Sequence, residues 1–131
     1  MRITQETDYA LRIIDFLSKN RNAIFGAATI SEQLAVPLRF ALKILRKLNL
    51  AGITSANRGV KGGYYLIKDP KQISYKDVVQ AIEGDIYINK CLQDPICCTR
   101  GMKKGECVVS RNLRKIQDAL NKELEKYNFG E

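Results

Sequence analysis

Apolar residues recur along this chain with two different periods, and the switches between them outline the fold. Ala10, Ile13, Ile14 and Leu17 lie at helical spacing and predict a first helix ending near Asn20, capped by Thr4 or Thr7. A polar break over 20–26 follows. Thr29 with Glu32 has capping-box spacing and predicts a short helix over 30–35. Val36-Pro37 makes a turn into a helix over 38–50, LRFALKILRKLNL. Its inward positions are Phe40 or Ala41, Ile44, Leu45 and Leu48, while Arg39, Lys43, Arg46 and Lys47 face outward, and Gly52 stops it. The period then shortens. Strands are expected over 53–56 and 64–67, joined by the basic, glycine-rich turn NRGVKGG. Ser74 caps a helix over 75–83 with Val78, Val79 and Ile82 inward, ended by Gly84. The last helix starts near Cys107 and runs to about Tyr127. Its seam, Leu113, Ile116, Leu120, Leu124 and Tyr127, has the narrow spacing of a helix that pairs with a copy of itself or packs on the head.

Two short helices around a tight turn, followed by a β-hairpin with a positive tip, read as a winged helix. The expected fold is mainly α with a small β-hairpin wing: a winged helix-turn-helix plus a long C-terminal dimerisation helix. In its 131 residues, 1–84 would be a DNA-binding head, 85–107 a cysteine loop and 108–131 the dimerisation helix.

Charge sharpens the picture. The net charge is +8, and residues 28–71 carry eight basic side chains against Glu32 and Asp69. Charge alone would suit any solvated face. Together with the helix-turn-helix and the glycine wing it points to nucleic acid. The helix over 37–50 is expected in the major groove, with Arg39, Phe40 and Lys43 near base edges or adjacent phosphates. Thr29 is expected at a phosphate, and Arg58, Lys61, Gly62, Gly63 and Tyr64 belong to the wing. Duplex DNA is the expected partner, with RNA an alternative that competition would test.

No apolar run reaches the length of a membrane span. The opening MRITQETDYALRII lacks a basic stretch before an apolar core, so no secretory leader and a reduced, cytoplasmic setting are expected. No enzyme is expected either. The chain contains no histidine, and GVKGGY is followed by a strand rather than the helix that a nucleotide-binding fingerprint requires.

All four cysteines, Cys91, Cys97, Cys98 and Cys107, fall in CLQDPICCTRGMKKGEC. In a reducing compartment such a cluster suggests metal binding or redox chemistry more than disulfides. Asp8, in the first turn of the first helix, reads by itself as a charge favoured by the helix dipole.

TDYALR, the AGI after the third helix and the RG-x-x-GGY wing resemble the family of winged-helix bacterial regulators that includes IscR, NsrR, RirA and CymR. The resemblance covers essentially the whole chain. It implies a homodimer on imperfect palindromes, with the long helices crossing at the interface. It also implies an iron–sulfur cluster, 2Fe-2S or 4Fe-4S, held by three loop cysteines. Cys91 and Cys97 match the family's first pair, but nine residues separate Cys97 from Cys107, more than is usual, and Cys98 is additional. In IscR-like members a histidine one turn after the last cysteine completes the site, and here that position is Ser110. In NsrR-like members an aspartate of the partner's first helix does so, and Asp8 matches it. The candidate sets are therefore Asp8 with three cysteines, or all four cysteines. Rival readings are a structural four-cysteine zinc site, inert thiols, and direct thiol sensing as in CymR-like relatives, with Lys103 and Lys104 lowering a thiol pKa.

Overall fold

The structure is a computed structural model describing residues 2–94, 96, 98–103 and 105–130. In chain order it comprises α1 (Gln5–Lys19), α2 (Ala27–Leu34), α3 (Leu38–Leu50), β1 (Thr54–Asn57), β2 (Gly63–Leu66), a short 3-10 turn (Pro70–Gln72), α4 (Tyr75–Glu83), α5 (Lys90–Gln93) and α6 (Val108–Lys126). The expected mainly helical fold with a hairpin wing is what is found.

Thr4, not Thr7, caps α1, its hydroxyl accepting the Thr7 N–H at 3.2 Å. Thr7 is buried one turn on and donates its hydroxyl to Glu83 at the end of α4, 2.6 Å away. The stripe Ala10, Ile13, Ile14 and Leu17 is fully buried and meets Ile44, Leu45 and Leu48 of α3, Val78 and Ile82 of α4, and Ile30 of α2 in one core.

The expected Thr29 cap is not there. α2 starts two residues before Thr29, with Gly26 as its cap residue and the Gly26 carbonyl accepting the Ile30 N–H. Thr29 is thus an exposed residue of the first helical turn, and no side chain caps α2. The break before it is also more ordered than its polarity suggests. Phe25 pairs with Tyr64 through both backbone bonds, adding a one-residue third rung to the wing sheet. The turn into α3 is made by Ala35, which takes left-handed φ 54°, while Val36 returns its N–H to Ser31.

The hairpin strands pair antiparallel with Thr54 opposite Leu66 and Asn57 opposite Gly63. The two adjacent glycines are required by space. A Cβ at Gly62 would stand 2.1 Å from the Asn57 carbonyl oxygen, and one at Gly63 would stand 2.5 Å from the Phe25 carbonyl.

Ser74 caps α4 as expected, in a full capping box with Asp77. The C-terminal helix runs Val108–Lys126, close to the expected start near Cys107 and end near Tyr127. It ends at Lys126, and Tyr127 to Gly130 run back along the head. The Tyr127 carbonyl accepts the Tyr75 N–H, the Phe129 N–H reaches the Pro70 carbonyl, and the Phe129 ring is buried, stacked on Tyr75 at 4.8 Å. Tyr127 therefore belongs to this clamp and not to the helix seam. Phe129→Ala should lower the unfolding free energy by about 3 kcal/mol, measured by urea denaturation.

Candidate DNA interface and cysteine pocket

α3 has a buried face, Ala41, Ile44, Leu45 and Leu48, and an opposite face bearing Arg39, Lys43 and Arg46 in solvent. Phe40 lies between the two. It is half-buried, with its edge against Tyr9 of α1 at 6.0 Å and the Arg39 guanidinium over its ring at 5.3 Å. Its aromatic surface is used to seat α3 on α1. Lys47, expected outward, is folded inward: it donates to the Ile82 carbonyl at 3.2 Å and faces Glu6 of α1 at 2.9 Å. The Glu6 Oε1 is shielded from water and has no aligned hydrogen bond, so this contact is one of charge. Lys43 stands further off, 3.8 Å from the same carboxylate. Arg58 and Lys61 project from the wing turn on either side of a fully exposed Val60. Tyr64 is half-buried behind them, held by Phe25.

Between the head and α6, the chain after Gly84 is fixed by Gln117. This residue is buried in α6, and its side-chain oxygen accepts the Ile88 N–H at 3.0 Å. α5 follows, capped by the Asn89 side chain, which accepts the Leu92 N–H. Cys91 lies on this single turn, and Cys107 is the residue that begins α6.

Cys91, Cys98 and Cys107 line one pocket of about 240 Å³, together with Met102, Ser110, and the basic side chains Lys103, Arg111 and Arg114. Cys97 lies outside the described residues. Arg111 and Arg114 follow Cys107 by one and two helical turns, which sets them on the same side of α6. Among the described residues, no three Cys, Asp or Glu side chains converge closely enough to hold a single metal ion.

The Cys98 thiol is pushed below its ordinary range, chiefly by hydrogen bonding to the backbone of Met102 and Arg100, with Gly101 and the Arg100 charge adding to it. The source is therefore the turn over 98–102; Lys103 is not among the causes, and Lys104 lies outside the described residues. Asp8 is exposed on α1 and paired with Arg12 at 3.2 Å; it does not line the cysteine pocket of its own chain.

A winged helix-turn-helix with this basic face defines a DNA-binding regulator of transcription. A family model described as Rrf2, iron-dependent transcriptional regulator, matches residues 3–131, and the chain belongs to the Rrf2 family. It is similar to the transcriptional repressor NsrR of Streptomyces coelicolor, 33% identical over 92% of this chain and 80% of the relative. It is also similar to NsrR of Bacillus licheniformis, 28% identical over 97% of this chain and 83% of the relative. Among solved structures it shares the fold of CymR, the global cysteine regulator of Bacillus subtilis, with a TM-score of 0.78, 22% identity, and coverage of 98% and 93% of the two chains. The family and these relatives are regulators of transcription, not enzymes. Among the described residues, no helix is long and apolar enough to cross a membrane.

Replacing Gln117 with Leu strands the Ile88 N–H and should cost about 1–3 kcal/mol. Amide exchange at Ile88 should quicken while the core of α1 keeps its protection. In the metal-free protein, Cys98 should alkylate with iodoacetamide at a pH midpoint below that of an ordinary cysteine. The lowered pKa keeps the thiolate available to lower pH than an ordinary cysteine does, so reactivity should fade only below that lowered midpoint.

Proposed function

We propose that this chain is a homodimeric regulator whose affinity for DNA answers to an iron–sulfur cluster held by its cysteine loop. The observation that carries the reading is the gathering of Cys91, Cys98 and Cys107 on one pocket walled by Arg111 and Arg114. Thiolates are the natural ligands of such clusters, and a thiolate-ligated cluster is anionic, so both the donor set and its basic surround fit. Cys97 stays in the ligand set alongside Cys98. Asp8 would join it only from the first helix of a second copy, because in its own chain it lies apart from the pocket.

The cluster, 2Fe-2S or 4Fe-4S, supplies sensitivity to iron supply, oxidation or nitric oxide. The chain supplies the linkage. Cys91 and Cys107 would draw α5 against the start of α6, and Gln117 and the Phe129 clamp would pass a shift of α6 to the head. The division of labour is a head to residue 84, a loop over 85–107 and a helix thereafter. Dimerisation through α6 is supported by what the single chain leaves open. Val109 and Ile116 are exposed, and Leu120 and Leu124 line an uncovered groove of about 530 Å³. A two-fold dimer would meet an imperfect palindrome, with the start of α3 in each major groove and the wing on the flanking backbone.

Arg39, Lys43, Arg58 and Lys61 are placed for DNA contact. Thr29 can reach a phosphate from the first turn of α2. Gly62, Gly63 and Tyr64 hold the wing in shape. A second reading, cluster-free thiol sensing, is favoured by the lowered Cys98 pKa.

Anaerobic purification with iron and acid-labile sulfide determined per chain is the test. The expected result is a coloured protein with matched iron and sulfide, with colour lost on Cys91→Ser. Asp8→Ala and Cys98→Ser then sort the remaining ligands. A protein still colourless after reconstitution would replace the cluster by the thiol reading, and bound zinc would replace it by a structural site. On the DNA side, Lys61→Ala should weaken binding to all sequences alike and flatten the logarithmic salt slope by about one unit. An unchanged slope would remove Lys61 from the phosphate contacts.

A further inference from the structure

The solvent face of α3 is not uniformly charged. Leu38 and Leu42 lie one turn apart on it, 45% and 46% exposed, interleaved with Arg39, Lys43 and Arg46. Scattered exposed leucines are ordinary. This pair differs in its position, because it occupies the first two turns of the helix, the part that reaches base edges when a recognition helix enters the major groove. Leu50, more exposed than either, sits at the opposite end beside the turn into the wing.

A leucine in the major groove neither donates nor accepts a hydrogen bond. Against guanine O6 and N7 or the cytosine amino group it would strip water from polar edges and return nothing. Against the 5-methyl of thymine it buries apolar surface on both partners, and thymine alone among the four bases presents that methyl. The flanking cations meanwhile attract phosphates on both sides of the groove. We infer that Leu38 and Leu42 read thymine methyl groups in each operator half-site, making them residues that set sequence specificity while the basic side chains set affinity. This inference rests on the DNA-binding reading and goes beyond it by naming the chemical feature read.

The probe is a random-sequence duplex library, selected on the full-length protein under anaerobic conditions. The winning duplex is then resynthesised with deoxyuridine replacing thymidine one position at a time. Loss of a contacted methyl should weaken binding by about fourfold. At those positions Leu38→Ala and Leu42→Ala should each abolish one of the penalties, while their salt slopes stay as in the wild type. Sedimentation of both variants should match the wild type. Equal binding of thymine and uracil duplexes by the wild type would overturn the inference and leave DNA binding intact. Variants that keep the full uracil penalty would overturn it too. A library with no enriched duplex would sink both readings. A loss of dimer in the variants would assign this face to a second copy instead.

Discussion

One buried stripe on α1 is shared by the helices that make the head. Ala10, Ile13, Ile14 and Leu17 pack in one cluster with residues of both α3 and α4, and their burial is a main attraction holding the two in place. Interiors packed this closely do not deform smoothly, so α3 and α4 are held by α1 as one body. The polar contacts at the start of α1 repeat the same arrangement. Glu6 meets the lysines of α3, and Thr7 meets Glu83 at the end of α4. A recognition helix mounted in this way keeps its aim only while α1 keeps its packing.

α6 packs against α4 of that body and is tied down at further points along its length. Near its middle, Gln117 holds the loop that leads to the cysteines. In its last turn Glu125 pairs with Lys76 at 2.7 Å, and beyond its end Phe129 lies in the core. The cysteine pocket lies at the amino-terminal end of α6. Under the proposed reading, a group bound there would act through α6 on the head, and the shift it could impose would be bounded by its difference in affinity for the two arrangements.

Much of this was legible because it is local. The α1 stripe, the Ser74 cap and the glycine wing are written in short-range spacing, and each was found where expected. What was not legible depended on partners distant in the chain. Thr29 and Glu32 have capping-box spacing, yet the pairing of Phe25 with Tyr64 fixes the chain just ahead of Gly26, and the helix begins there instead. Lys47 reads as outward by periodicity until a carboxylate from α1 arrives beside it. Gln117, polar in the middle of an apolar seam, gave no sign of the backbone N–H it serves. Phe129 fell in the stretch assigned to the dimerisation helix, and nothing in its local spacing marks it as core. The cysteines were found by composition, but their basic neighbours required knowing which face of α6 Cys107 begins.

The carboxylate of Glu6 has a consequence for how the protein meets salt. Lys43 and Lys47 count as cations in the sequence, but in the folded head both already have a negative neighbour, so neither carries a full cloud of counter-anions to shed. Docking Lys43 on a phosphate would exchange one partner for another instead of liberating an ion. The ionic-strength dependence of binding should accordingly report fewer charges than the basic residues of the head would suggest, and Glu6 sets part of that difference.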